Sequence, residues 1–401
     1  IYRWSFDVLL GSMVSKFRSR FLTSKHRWSL RLLGIWPNRD PLSDLRFLIS
    51  LALITSVVIP QLIDLFQNDP LSKNVIENLS SLIPCILVTI KLLMMRINMP
   101  RLQECLNGMA EDWIQDWKSE FNKEFAGIMK RNAKIGRFFN IACTILLYPP
   151  LPGPGTKISQ TENVTSEKFL HRRLPLSAVY VFDPYQSPNF ELTYIAQCLG
   201  IVTGATSNFS IDSFLALLVL HFCGQLEILD LISDQILIKI HQFSYYSFSQ
   251  MLEESFNVML LVQLFGNSIL FCFLGYQIIM NFEDSEVIKK KLTNIIILLS
   301  SIDFYQNPFC HVIIFQSEAI GYYAYKATWY DLEPKYSKPL IMLMARSKTP
   351  LRITAGKFVV MSLETYTDSI NRIEISLILC FSLFYSDSEN ICNVFIIPAS
   401  S

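Results

Sequence analysis

The stretch FNVMLLVQLFGNSILFCFLGYQIIM, Phe256 to Met280, decides the fold. It carries no charged side chain, and it is longer than the roughly 20 apolar helical residues needed to cross a bilayer core of about 30 Å. With no water to hydrogen-bond the backbone in lipid, a lone apolar run of this length spans as a helix. The same criterion applied to the flanking sequence predicts spans at about 47–66, 75–97, 135–151, 190–222, 295–315 and 353–385. The third ends on Pro149-Pro150, which cannot continue a helix, and the fourth is long enough to project beyond the membrane. The expectation is an all-α integral membrane protein of seven transmembrane helices over 47–385. A segment 1–46 precedes it and an atypical tail, 386–401, follows it.

Composition agrees. Of 401 residues 51% are hydrophobic and 17% charged, and the mean hydropathy is +0.32, whereas soluble domains carry about 25% charged residues. A net charge of +1 implies no acidic or basic surface for the whole chain, so nucleic acid is not an expected partner and membrane lipid is. Nine cysteines without a CxxC pair suggest neither a zinc site nor a dense disulfide framework. The first thirty residues are basic and aromatic, without the apolar run of a signal peptide.

Orientation follows from Lys/Arg asymmetry. With the N-terminus inside, the inside segments 1–46, 91–137, 223–255 and 317–357 hold 26 of the 35 Lys/Arg. The N-terminus is therefore expected to be cytoplasmic and the C-terminus extracellular. The sequon Asn163-Val164-Thr165 falls in the longest outside loop, where glycosylation could reach it. G-protein-coupled receptors have the opposite orientation, and no Asp-Arg-Tyr triplet closes the third span.

Catalytic signatures are missing: there is no Gly-rich phosphate loop, His-Glu-x-x-His helix or Gly-x-Ser-x-Gly elbow. Cys310-His311 would point about 100° apart on a helix and supplies too few ligands for a metal. Neither an enzyme nor a cofactor is expected. Lys91 and Glu77 stand near opposite ends of the second span, where snorkelling accounts for a charge. Asp212 and Asp303 lie deeper, where each could face a water-filled cavity. In the outer halves of the spans Pro84, Thr144, Tyr148, Tyr194, Gln197 and Cys198 combine apolar bulk with sparse polar groups at similar depth. Such a lining suits an uncharged small ligand, although interhelical packing uses the same residue types. Between Glu318 and Tyr366, Tyr322, Tyr325 and Trp329 fall on one helical face, fit for a membrane interface or a neighbouring subunit.

The blocks SEAIGYYAYKATWYDL, Ser317 to Leu332, and MARSKTPLRITAGKFVVMSLETY, Met344 to Tyr366, resemble the insect odorant receptor family. Weaker similarity occurs in family order at NRDPLSDLRF before the first span, LPLSAVYVFDPYQSPNFELTYIAQ entering the fourth, HFCGQLEIL leaving it, and SILFCFLGYQIIM in the fifth. The resemblance implies an odorant receptor, a ligand-gated, non-selective cation channel subunit in the dendritic plasma membrane of olfactory neurons. It implies a volatile odorant as ligand and a co-receptor as partner in a heterotetramer. It further implies a pocket around Tyr194 and Gln197, a subunit anchor including Tyr322, Trp329, Tyr330, Pro350 and Gly356, and a pore helix containing Ser362, Thr365 and Tyr366. The sequence departs from the family at SIDFYQNPFCHVIIF, Ser301 to Phe315, and after Tyr366, where Asp368, Arg372 and Glu374 lie close together. Alternative readings are a gustatory receptor, for which Thr365-Tyr366 supplies half of the motif, a G-protein-coupled receptor, and a non-functional odorant receptor altered in those two segments.

Overall fold

The structure, a computed structural model, describes residues 24–37, 40–67, 73–118, 124, 127–136, 138, 174–176, 178–231, 235–280 and, in pieces, 313–368. The predicted third and sixth spans lie mostly outside the described residues, as do 301–312 and 369–401. Seven longer helices are described: α1 (Ser24–Leu32), α2 (Ser43–Gln67), α3 (Lys73–Ile97), α4 (Met99–Lys118), α5 (Asn189–Leu231), α6 (Gln235–Met280) and α7 (Pro334–Ser347). Among the described residues, four stretches are long and apolar enough to cross a bilayer: Ser43–Gln67, Asn78–Ile97, Asn189–Ile228 and Phe248–Gly275.

Helix α5 is the axis of the bundle. Every residue from 210 to 226 is buried, as expected of a helix that is apolar all round. Helices α2, α3 and α6 surround it; α3 also packs along α2 and α6, and α4 lies against α6. The outward faces carry large apolar side chains, among them Leu48, Ile49 and Ile59 of α2, Leu192, Ile195 and Leu199 of α5, and Phe265 of α6. Exposed apolar residues along membrane-length helices are the surface a lipid solvent selects.

At 43 and 46 residues, α5 and α6 are about 65–69 Å long, roughly twice the bilayer core. Helix α6 starts at Gln235, some twenty residues before the apolar run that marks it in the sequence. Between Gln235 and Ser255 the apolar residues are interrupted by Lys239, His241, Gln242, Gln250, Glu253 and Glu254, so a criterion for an uninterrupted apolar run does not register these turns.

Two departures from a purely helical chain occur after α7. Strands β1 (Thr354–Ala355) and β2 (Val359–Val360) pair antiparallel, and Phe358 N–H donates to the Ala355 carbonyl across the turn at 3.2 Å. Both central residues of that turn, Gly356 and Lys357, have positive φ, 62° and 64°, the left-handed geometry for which glycine is best suited. The segment from Ile353, expected to open the last span, therefore begins as a hairpin. Helical residues resume at Glu364, where the Ser362 Oγ accepts the Thr365 N–H at 3.2 Å as an N-cap.

Glycines set the closest helix approach. A Cβ on Gly200 of α5 would stand 2.5 Å from Val57 Cγ2 and 2.7 Å from the Leu53 carbonyl oxygen of α2, whereas one on Gly204 meets nothing within 4 Å. Gly200→Val is accordingly expected to destabilise the purified protein by about 1–3 kcal/mol through overpacking. Gly204→Ala should be neutral or stabilising by up to about 1 kcal/mol. Thermal unfolding of the two variants checks this, and equal sensitivity would contradict the close α2–α5 contact.

Candidate ligand-binding site and the polar interior

Three polar regions occur along the bundle. The upper one lies where α2 finishes and α3 and α5 begin. Here Gln197, 2% exposed, holds the segment before α5 against the helix. Its Oε1 accepts the Leu176 N–H at 3.0 Å, and its Nε2 donates to the Leu176 carbonyl at 3.1 Å and the Tyr180 hydroxyl at 2.8 Å. The side-chain amide thus closes a strap across α5. Burial pushes the Tyr180 hydroxyl above its ordinary pKa, so it remains neutral and able to share that bond. Tyr194 packs beside Phe190, with ring centroids 6.1 Å apart. Cys198 lies one turn further along the same side as Tyr194, and both are partly buried.

Tyr194, Gln197 and Cys198 are therefore brought together, but the Gln197 amide is engaged by the protein itself. Pro84 sits within α3 and is partly buried. It is about two turns above Lys91, whereas Cys198 is almost three turns above Asn208, the partner of Lys91, so Pro84 lies deeper by about 5 Å. Thr144, Tyr148 and the sequon at Asn163 lie outside the described residues.

The middle region contains a buried ion pair. Lys91, 2% exposed, donates from Nζ to Asp212 Oδ1 at 2.8 Å, Asp212 Oδ2 at 3.1 Å and Asn208 Oδ1 at 2.8 Å. Lys91 does not snorkel to an interface, and its ammonium is the group that faces Asp212. The reason is geometric: α3 and α5 run side by side at this depth, and a four-carbon stem reaches the neighbouring helix. Residues 208 and 212 are one helical turn apart and point at the same place. Sequence reasoning passed over Asn208, although an Asn–Asp pair at this spacing in an otherwise apolar helix is the signal that finds it.

The lower region is a cavity of about 290 Å³ between the end of α5, the lower part of α6 and residues 349–354, lined among others by Phe222, Ser249, Glu253, Pro350 and Arg352. Glu253 accepts a hydrogen bond from the Thr354 hydroxyl at 2.7 Å, and Gly356 N–H donates to the Asn257 carbonyl at 2.8 Å. A Cβ at Gly356 would stand 2.4 Å from Leu261 Cδ2. Thr354 and Gly356 thus seat the hairpin on α6, and Pro350 lines the cavity beside it. Tyr322, Tyr330 and Phe358 are 64%, 67% and 86% exposed. Ser362 is buried and its hydroxyl lies 3.0 Å from that of Thr365. Trp329 and Tyr366 lie outside the described residues.

The arrangement defines an α-helical, multi-span membrane protein with a buried polar axis. A family model described as 7tm Odorant receptor matches residues 72–373, and the chain belongs to that family. Odorant receptor 13a of Drosophila melanogaster is 22% identical over 351 residues, covering 79% of this chain and 81% of that protein. Putative odorant receptor 85d of the same species is 28% identical over 131 residues, 30% of this chain and 28% of that protein. The solved insect olfactory receptor OR5 from Machilis hrabei has a similar fold at 14% identity, with a TM-score of 0.75 over 90% of this chain and 97% of that one. Its complex with eugenol gives a TM-score of 0.74 at 14% identity, over 94% and 99%.

Replacing Gln197 by Leu keeps the volume but strands the Leu176 and Tyr180 polar groups, each loss being worth about 1–3 kcal/mol where buried. Amide hydrogen exchange at residues 176–186 is expected to accelerate by about one to two orders of magnitude. Altered odorant response with unchanged exchange would instead assign Gln197 to direct ligand contact.

Proposed function

We propose that this odorant receptor is the odorant-binding subunit of a ligand-gated, non-selective cation channel, assembled with a co-receptor as a heterotetramer in the dendritic plasma membrane of olfactory neurons. The observation that carries the reading is the family match across residues 72–373. The OR5 fold likeness extends over 94% of the chain for a structure described in complex with eugenol. The ligand is a volatile small molecule, held in the upper half of the bundle near Tyr194 and Cys198, with Pro84 below and Thr144, Tyr148 and Gln197 contributing. Gln197 acts there by holding the strap over the pocket. Apolar walls supply affinity and the few polar groups supply orientation.

Odorant shifts the channel toward its open arrangement only by binding that arrangement more tightly. Tyr322, Trp329, Tyr330, Pro350 and Gly356 form the subunit anchor at the lower end. The helix capped by Ser362, with Thr365 and Tyr366, leads into the pore. The N-terminus is cytoplasmic, as the Lys/Arg distribution supports, and Asn163 is glycosylated outside.

Co-expression with an insect co-receptor is expected to give odorant-evoked cation current that neither chain alone gives with the same ligand profile. An N-terminal epitope should stain only after permeabilisation. Surface delivery without any evoked current across a broad odorant panel would contradict the channel role, and staining of intact cells would contradict the topology.

A further inference from the structure

We propose that the cavity between the lower ends of α5 and α6 and residues 349–354 binds the headgroup of an anionic phospholipid, with Arg352 taking the phosphate and Glu253 a donor group of the same headgroup. Phe222, Leu252 and Ile353 line the cavity and are buried, whereas Thr349 and Arg352, which also line it, are exposed. The cavity therefore has apolar walls and a polar, cationic rim. Of the arginines whose side chains are described, Arg31, Arg46, Arg96, Arg101 and Arg131 each lie within 4.0 Å of a carboxylate oxygen. Arg352 alone has neither a hydrogen bond nor an ion pair among the described residues. Glu253 lines the same cavity, but its Oε1 accepts the Thr354 hydroxyl at 2.7 Å. A planar guanidinium left without a carboxylate is suited to two parallel hydrogen bonds to a phosphate.

The surrounding charge favours an anion. The segment Met344 to Lys357 contains Arg346, Lys348, Arg352 and Lys357 and no acidic residue, and Lys348 and Lys357 are exposed. On the facing helix Glu254 has Arg101 at 4.0 Å, so Glu253 is the carboxylate the ligand meets. A carboxylate only accepts, and an anion that also carries an ammonium or hydroxyl group satisfies it where a bare anion does not. Depth points to the membrane as the source. Asn98 Nδ2 donates to the Ser255 carbonyl at 2.9 Å, which sets the end of the apolar stretch of α3 at Ile97 beside the start of the uncharged run of α6 at Phe256. At 1.5 Å per residue, Glu253 and Gln250 fall about 3 and 8 Å below Ser255, the depth of a headgroup layer about 5–8 Å thick. Anionic lipids give the cytoplasmic leaflet its negative surface, and the inference rests on the proposed orientation, in which the lower end faces that leaflet. A lipid seated here would brace residues 349–354 against α6.

The test is lipid retention by the purified full chain in phosphatidylcholine nanodiscs containing increasing phosphatidylserine, read by native mass spectrometry, with thermal unfolding in parallel. Both leaflets of a nanodisc have the same composition, so neither readout depends on orientation or on channel activity, and a chain without evoked current can still show the site. Phosphatidylserine should be retained saturably and raise the melting temperature by about 2–4 °C. Arg352→Ala should weaken retention about tenfold, and Lys348→Ala about fivefold, the worth of one basic side chain at an anionic surface. Lys130→Ala with Lys134→Ala, which removes exposed cations outside the cavity lining, should leave retention unchanged. Glu253→Gln keeps an acceptor for Thr354 and should erase the preference for phosphatidylserine over phosphatidic acid, whose headgroup carries no ammonium. Equal retention of phosphatidylcholine, or an equal loss on changing Lys130 and Lys134, would reduce the effect to diffuse surface charge and overturn the site. Arg352→Ala that lowers the melting temperature alike with and without phosphatidylserine would make the guanidinium part of the fold instead. Stabilisation by soluble O-phosphoserine as strong as that by the lipid would overturn the membrane as the source.

Discussion

The buried contact of Lys91 with Asp212 and Asn208 is the constraint on which the bundle depends. An isolated charge at the centre of a membrane costs about 2.5–3.5 kcal/mol on insertion scales. Here two opposite charges meet at 2.8 Å on α3 and α5, and Asn208 accepts a further bond from the ammonium. Apolar surfaces in lipid have no hydrophobic preference for one another, so register between spans rests on close packing and on polar contacts. The pair fixes both the rotation and the axial position of α3 against the central helix, since a slide by a full helical turn, about 5.4 Å, would separate the charges.

Other contacts are consistent with that register. A Cβ on Gly266 of α6 would collide with the Leu87 side chain, and Asn98 Nδ2 donates to the Ser255 carbonyl at 2.9 Å. The two contacts describe antiparallel α3 and α6 in step with the α3–α5 pairing. Below the pair, Arg96 stacks on Phe47 at 5.2 Å, donates to the Gly34 carbonyl and pairs with Asp44, closing the lower end of α2 and α3. Above it, Gln197 and its strap cover the start of α5. The proposed ligand region lies between the Lys91–Asp212 pair and the strap held by Gln197, while the lower ends of α5 and α6 carry the hairpin at Gly356.

The membrane class and the apolar helices were legible because a 25-residue uncharged run such as Phe256 to Met280 has few other physical meanings. The family was legible in the blocks at Ser317 to Leu332 and Met344 to Tyr366. Lys91 was misread because its position near the end of an apolar run is the linear mark of snorkelling, while its partner lies more than a hundred residues away. Gln197 stands out in the sequence as a polar group in an apolar stretch, but linear sequence does not tell whether an amide faces a ligand or the chain's own strap. Strands of two residues have no periodicity to detect, so the hairpin was hidden in a predicted span. The extension of α6 back to Gln235 was hidden because Lys239, His241, Glu253 and Glu254 interrupt the apolar run there.

The most direct measurement is a double-mutant cycle on the unfolding free energy of the purified protein, using Lys91→Met, Asp212→Leu and the two combined. Each single change takes the opposite charge away from a buried ion and is predicted to cost about 3–5 kcal/mol, whereas the double variant should lose far less than the sum because an apolar pair of similar bulk replaces the ions. Additive losses, or singles that melt like the unmodified chain, would contradict the central place given to this pair.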